Sequence, residues 1–374
     1  MLVQSISLCN YRNYKNLQVE FHPTLNILMG ENAQGKTNIL EAIYYAVTGK
    51  SHRTNFDQDL VSWEEKSFNI RLIGERCLRK VKIEITVRSD DKKILKVNGQ
   101  TKRKLSELIG TINAVLFSPE DMLLVKGGPL VRRRFLDIEI SQTSPFYCHC
   151  LANYNKVLAQ RNNLLKSIRE QKESVDLLDV WNMQLVEYGS HIIRKRTEVM
   201  EKIIPIALSV HQRITENREN LNLAYKPSVD LRKANKEISL EDYFTKKLDE
   251  MKNTEILKGI TLLGPHRDDL EIRIGDIDLK AFGSQGQQRT AALSMKLSEV
   301  EFMKNETGEY PILLLDDVMS ELDAHRRKFL LEVVREKVQT FVTSTEIDEV
   351  FKPIKNKSRI FDVKEGKVFI LQEG

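Results

Sequence analysis

Alternation of apolar and polar positions opens the chain. Residues 3–8 and 17–21 alternate, with Ile6 and Leu8 and then Leu17, Val19 and Phe21 two positions apart, the period of a half-buried strand, around the polar and aromatic turn Asn10-Tyr11-Arg12-Asn13-Tyr14. Residues 25–29 form a short, largely apolar run of strand character. The period then lengthens: Ile39, Ile43, Ala46 and Val47 fall on one face of a helix over 38–48. Residues 68–73, 78–87 and 94–97 read as antiparallel strands, and Asn98-Gly99 is a strong turn signal. Residues 102–108 read as a helical turn and 114–117 as a buried strand. A change of texture follows Ser118-Pro119-Glu120-Asp121. Past Gly127-Gly128-Pro129, residues 130–215 keep helical spacing, as in Leu151, Tyr154, Val157 and Leu158, and in Leu177, Trp181, Gln184, Leu185 and Tyr188. Pro205 is expected to interrupt or kink the last of these helices. They are too short and too few for a long coiled-coil arm. Residues 216–239 are polar and read as a surface connection, and 240–253 as a helix. Gly264-Pro265-His266-Arg267-Asp268-Asp269 forms a turn, followed by a hairpin of 270–274 and 277–279. The Gly/Gln-rich residues 281–290 lead into an amphipathic helix. Residues 312–315 are an apolar strand, Asp323 is placed to cap a helix reaching Glu336, 341–342 is a short strand, and 360–363 with 368–371 make a terminal hairpin.

Between the strand at 25–29 and the helix at 38–48 stands Gly30-Glu31-Asn32-Ala33-Gln34-Gly35-Lys36-Thr37. This is G-x-x-x-x-G-K-[ST], the phosphate-binding P-loop, in the strand-to-helix setting it needs. Gly30 and Gly35 free the backbone so that N–H groups can turn inward, and the helix N-terminus adds unpaired donors and partial positive charge. Lys36 would reach the β- and γ-phosphates, and Thr37 would hold Mg²⁺ through its hydroxyl. A second signal lies far downstream, where Ile312-Leu313-Leu314-Leu315-Asp316 reads as a buried parallel strand ending in a carboxylate. Asp316 could share the magnesium with Thr37.

Composition narrows the setting. The 374 residues suffice for two or three domains, or for one with a large insertion. Apolar residues at 41% and charged residues at 30% allow a packed core and exclude wholesale disorder. No apolar run approaches the ~20 residues of a membrane span, so no membrane partner is expected. The start lacks a charged and then apolar leader. Cys148-His149-Cys150 places its ligands too close together for a zinc knuckle and has no second pair, so the cysteines read as reduced cytosolic thiols. A net charge of +5 permits nucleic-acid binding without demanding it. Arg132, Arg133 and Arg134 are candidate phosphate contacts, as are Lys102, Arg103 and Lys104, and a solvated helix face is the alternative for either run. No basic stripe interleaved with aromatics is present, so sequence-specific base reading is not expected.

Asp316-Asp317-Val318-Met319-Ser320-Glu321-Leu322-Asp323 resembles the Walker B and D-loop of ABC-type ATPases. Phe282-Gly283-Ser284-Gln285-Gly286-Gln287-Gln288-Arg289 resembles their signature motif. The resemblance narrows to the RecF family of bacterial recombination mediators. It is carried by Asn10–Tyr14, Gly30–Asn38, Ser51-His52-Arg53-Thr54, Phe117–Asp121, Lys126–Pro129 with Arg132–Asp137, and Gly264–Asp269. The resemblance implies an α/β fold: an ABC-type ATPase head, with a P-loop mixed sheet and flanking antiparallel strands, plus an inserted, mainly helical lobe. The corresponding division is 1–125 and 259–374 for the head, and 126–258 for the lobe.

In function the resemblance implies an ATP-dependent clamp on DNA at single-strand gaps and duplex junctions. Two copies would sandwich two ATP molecules, and with RecO and RecR they would help load RecA in repair, replication restart and the SOS response. The expected location is the cytoplasm, at the nucleoid. Carried onto this chain, Gly30, Glu31, Asn32, Ala33, Gln34, Gly35, Lys36, Thr37 and Asn38 cradle the nucleotide, and Thr37 and Asp316 hold Mg²⁺. Ser284 and Gly286 act in trans, and Arg12 is either a nucleotide contact or a surface residue of the turn. Asp317 stands where many ABC ATPases have the glutamate base; one methylene shorter, it implies slow hydrolysis, as in a switch. Thr343–Thr345 occupies the usual place of the switch histidine, and residues 118–121 lack the expected Q-loop glutamine. A soluble transporter ATPase subunit and a structural tether of the chromosome-maintenance type are the rival readings.

Overall fold

The computed structural model describes residues 1–90, 92–230, 238–334, 338–345 and 358–373. Two compact units divide the chain: residues 1–121 with 293–374, and residues 122–292.

The first unit begins with β1 (Leu2–Tyr11) and β2 (Tyr14–Glu20), followed by β3 (Leu25–Met29) and helix α1 (Lys36–Thr48). β4 (Ser67–Arg76), β5 (Arg79–Arg88), β6 (Lys93–Val97), β7 (Gln100–Lys102) and β8 (Ala114–Phe117) follow. Six of these strands form an antiparallel sheet in the order β2-β1-β4-β5-β6-β7. Its alternation is the one read from sequence: Phe68, Ile70 and Leu72 on β4 and Val81, Ile83, Ile85 and Val87 on β5 are buried on one face. The expected helical turn near 102–108 is a single 3₁₀ turn at Leu105–Glu107.

The second unit holds α2 (Leu123–Lys126), α3 (Pro129–Thr143), α4 (Pro145–Arg169) and the 37-residue α5 (Leu178–Ile214). Then come β9 (Leu221–Lys226), α6 (Leu240–Lys258), β10 (Asp269–Ile274), β11 (Ile277–Asp278), α7 (Leu279–Phe282) and α8 (Gln285–Thr307), which runs on past the unit boundary. Pro205 lies inside α5 without ending it. Ile203, Ala207 and Val210 are buried on either side of it, so the apolar stripe of the helix continues past the proline. Two expectations are corrected here. Residues 216–239 are not all connection, because β9 pairs along the whole length of β10. That pairing, with the α7 that follows, places residues 259–292 in the second unit, so the return to the first lobe comes at 293 rather than 259.

The first unit resumes with β12 (Ile312–Leu315), α9 (Val318–Glu321), α10 (Ala324–Val334), β13 (Thr340–Ser344), β14 (Ser358–Lys364) and β15 (Lys367–Glu373). Asp323 caps α10 as expected, accepting the Arg326 N–H at 2.9 Å; Glu336 lies outside the described residues. The second sheet runs β15-β14-β3-β13-β12-β8. Its five inner and far strands are parallel, and β15 is antiparallel to β14. All four residues of β12 and of β8 are buried, the continuous apolar pattern of parallel strands covered on both faces. Only β13 separates β3 from β12, so the loops after β3 and β12 emerge at the same sheet end.

Candidate nucleotide-binding site

The loop after β3 is the P-loop, and α1 begins at its Lys36. Gly35 has φ +118, and a Cβ there would stand 2.6 Å from Asn13 Nδ2 and 2.7 Å from the Tyr14 hydroxyl, so only glycine fits. Lys36 is buried, and its Nζ donates to the carbonyl oxygens of Gly30 and, at 2.8 Å, Glu31. Burial pulls the Lys36 ammonium below its ordinary value, opposed by the charges of Asp317 and Asp316. Among the described residues, only backbone carbonyls hold this lysine, which leaves it able to turn to a phosphate. Glu31, Asn32 and Ala33 are exposed along the loop, with Ala33 at φ +64.

Thr37 Oγ1 donates to Asp316 Oδ1 at 2.8 Å, across 279 positions of sequence. Thr343 Oγ1, on the intervening β13, donates to the same oxygen at 2.9 Å and accepts the Asp317 N–H at 2.9 Å. Both oxygens that could face a cation here, hydroxyl and carboxylate, are hard donors of the kind Mg²⁺ takes. Asp317 is exposed, in the left-handed region at φ 52, and its carboxylate accepts from the Ser320 hydroxyl at 3.1 Å. Thr343 is a site residue the sequence reading missed. It registered only as the absence of a switch histidine, whereas its hydroxyl ties Asp316 to the Asp317 backbone.

The Arg12 side chain is engaged by α1. Its guanidinium forms a two-pronged pair with fully buried Glu41 of α1, at 2.9 and 2.8 Å, and donates to the Asp59 carbonyl at 2.9 Å. Ser51 and Arg53 also donate to Glu41, and Arg53 bonds the Asn38 amide at 2.9 Å. Burial alone would raise the Glu41 pKa, but hydrogen bonds from Arg12 and Ser51 and the charges of Arg12 and Arg53 outweigh it and hold the carboxyl below its usual range. Arg12 therefore buttresses α1 in this structure. Burial also lowers the His52 pKa; this ring packs edge-on to Tyr44 and gives neither nitrogen a hydrogen-bond partner among the described residues.

In the second unit, the signature segment starts α8. Ser284 Oγ accepts the Gln287 N–H at 3.2 Å, and Gln287 Oε1 accepts the Ser284 N–H at 3.0 Å, a reciprocal cap. Gln288 secures the turn by donating to the Leu279 carbonyl at 2.8 Å, and the Thr290 hydroxyl bonds the Gly286 carbonyl. Ser284 is exposed at this helix start.

The arginine run has another purpose. Arg132 is buried and pairs two-pronged with Asp269 at 2.7 and 2.9 Å, and Arg133 donates to the Asp268 carbonyl at 2.7 Å. Asp268, fully buried, accepts from Arg196 at 3.0 Å, the Tyr225 hydroxyl and the Ser228 N–H. Arg196 also reaches Asp137, Tyr147 and the Pro265 carbonyl. Arg132 is thus committed to the fold, Arg133 is half-buried, and Arg134 is the exposed member of the run. Arg103 and Lys104 remain exposed in the first unit.

Comparison with known proteins agrees with this geometry. The RecF/RecN/SMC N terminal domain matches residues 2–368. DNA replication and repair protein RecF of Bacillus mycoides (strain KBAB4) is 44% identical over 369 residues, 98% of each chain. Two solved structures, of the recombination mediator protein RecF-ATPrS and RecF-ATP in the RecFOR pathway, are 37% and 36% identical. Each has a TM-score of 0.91 over 99% of this chain and 98% of the other. Identity of this order over essentially whole chains sets aside the transporter-subunit and chromosome-tether readings. This α/β protein, with the fold of an ABC-type ATPase head and a second, largely helical unit, belongs to the RecF family.

Proposed function

We propose that this protein is an ATP-dependent, DNA-binding switch of DNA replication and repair. The observation that carries the reading is the meeting of Thr37 and Asp316 beside a P-loop whose lysine is held only by backbone carbonyls among the described residues. A nucleoside triphosphate suits it: loop N–H groups and Lys36 take the phosphates, while Thr37 and Asp316 hold Mg²⁺, which neutralises phosphate charge. Gly30, Glu31, Asn32, Ala33, Gln34, Gly35 and Asn38 shape the cradle. Exposed Asp317 is suited to orient water, and its shorter reach favours slow turnover. Relatives named for DNA replication and repair, and a structure named RecF-ATP, support ATP as the nucleotide and DNA as the partner.

The same reading extends to assembly. A second copy supplies Ser284 and Gly286, whose capped helix start offers donors to the γ-phosphate, so that ATP drives homodimerisation. The dimer binds gapped DNA and single-strand/duplex junctions, and RecO- and RecR-type mediators act with it in loading RecA. Sedimentation and DNA binding on the same samples test this. ATP is expected to convert monomer to dimer and to favour gapped over fully duplex DNA. A monomer with ATP, or equal binding without it, overturns the switch.

A further inference from the structure

Two hairpin turns of the first unit close on the outer side of the P-loop. From the β1–β2 turn, Asn13 Nδ2 donates to the Gln34 carbonyl at 3.0 Å, and the buried Tyr14 hydroxyl donates to the Gly35 carbonyl at 3.0 Å. From the β14–β15 turn, the Glu365 N–H donates to Gln34 Oε1 at 2.7 Å, and the Gly366 N–H to the Gln34 carbonyl at 3.3 Å. The turns also touch. Gly366 has φ +72, and a Cβ there would lie 2.6 Å from the Asn13 carbonyl oxygen. Asn13 Oδ1 in turn accepts from Asn38 Nδ2 at 2.8 Å, in the first turn of α1.

These bonds dictate which way the loop faces. In a trans peptide the carbonyl and the following N–H point in opposite directions. Holding the carbonyls of Gln34 and Gly35 on the hairpin side therefore turns the N–H groups of Gly35 and Lys36 to the other side. A loop fixed with its donors already turned inward loses less freedom when an anion binds.

We propose that Asn13, Tyr14, Glu365 and Gly366 are positioning residues for the nucleotide, acting through the Gln34–Gly35 and Gly35–Lys36 peptides and not by touching the ligand. The proposal rests on the nucleotide reading above. It makes the C-terminal hairpin a working part of the phosphate site, although it is the stretch of chain farthest in sequence from the P-loop.

The test uses the full chain and a fluorescent ATP analogue, with Asn13→Ala, Gly366→Ala and Lys36→Ala compared with the wild type. Asn13 is exposed, so its variant folds even if the Gly366 variant does not. Loss of one or two hydrogen bonds predicts binding about five- to tenfold weaker in Asn13→Ala. KM for ATP should rise by the same factor while kcat stays within about twofold, the split expected when only the unbound loop is disordered. Backbone hydrogen exchange at 34–38 should speed up in the nucleotide-free variant. Wild-type affinity and wild-type exchange in Asn13→Ala overturn the positioning role. If Lys36→Ala also binds the analogue like the wild type, the phosphate-cradle reading falls instead.

Discussion

Two buried cations, one in each unit, are held in opposite ways. In the first, Lys36 is buried yet engaged, among the described residues, only by the carbonyls of Gly30 and Glu31. In the second, Arg196 is more deeply buried, and its donors are taken up by Asp137, Asp268, Tyr147 and the Pro265 carbonyl. Arg161 repeats the pattern with Glu255, Asn182 and Thr261, at 2.7 to 2.8 Å. A cation held by neutral carbonyls keeps its charge available to an incoming anion. One fully matched by buried carboxylates has become part of the fold. A basic residue is thus functional or structural according to its partners, which composition does not reveal.

Arg196→Met puts this contrast under the greatest load. Removing one partner from a buried ionic network leaves Asp268 and Asp137 uncompensated, at a cost of about 3–5 kcal/mol. Denaturant unfolding should show that loss. An unfolding free energy within about 1 kcal/mol of wild type would mean that the network is incidental to stability.

Next in size is a pH effect centred on His266, whose ring bonds the Tyr154 hydroxyl at 2.6 Å and the Thr261 carbonyl at 3.1 Å. Burial, aided by the charges of Arg267, Arg133 and Arg161, lowers its pKa from 6.5 to about 4, against the raising effect of the Thr261 bond. The folded value lies below the unfolded one, so the neutral ring favours the fold above pH 6.5. As pH falls from 6.5 to about 4, the unfolded chain takes up a proton that the folded chain refuses. Stability from this group drops through that window by roughly 3 kcal/mol. Unfolding midpoints of wild type and His266→Gln from pH 7 to 4.5 check it: the variant should have the flatter profile, and parallel profiles would remove His266 from the acid response.

How much of this was legible in the sequence depended on distance along the chain. Gly30–Thr37 could be read because all its parts are contiguous, and Asp316 because a buried parallel strand brings its end to the same place. Thr343 and Glu41 could not be read, since each matters only through a partner brought in by folding. Arg132 and Gly264–Asp269 were both noticed, but as separate motifs. Only the fold shows that Asp269 neutralises Arg132 across 137 positions. β9 escaped notice because just Leu221 and Leu223 of its six residues are buried, too short an alternation to separate from a polar loop.

Lys36→Ala sharpens the other side of the contrast. It should weaken ATP binding about 10- to 100-fold, the loss of a charge-assisted hydrogen bond to phosphate. The unfolding midpoint without nucleotide should stay near wild type, because the lysine's present partners are carbonyls at the loop. Calorimetric titration paired with thermal unfolding separates the two quantities. A large loss of stability would make Lys36 structural, like Arg196.

The smallest expected effect concerns where DNA phosphates bind. Arg103 and Lys104 are exposed, and their backbone N–H groups are engaged by the Glu107 carboxylate at 3.0 Å. Their side chains can therefore release counterions on meeting a phosphate, whereas buried Arg132 cannot. Removing one cation that neutralises a phosphate should reduce the slope of log affinity against log salt by about 0.7 on single strands and 0.9 on duplex. The double variant Arg103→Ala/Lys104→Ala should thus flatten the salt dependence by the equivalent of one to two phosphates, with little change in folding stability. Arg132→Ala should do the reverse, lowering stability while leaving the slope alone. If the slope falls with Arg132 and not with the exposed pair, burial and pairing are the wrong guide to which cations of this protein meet DNA.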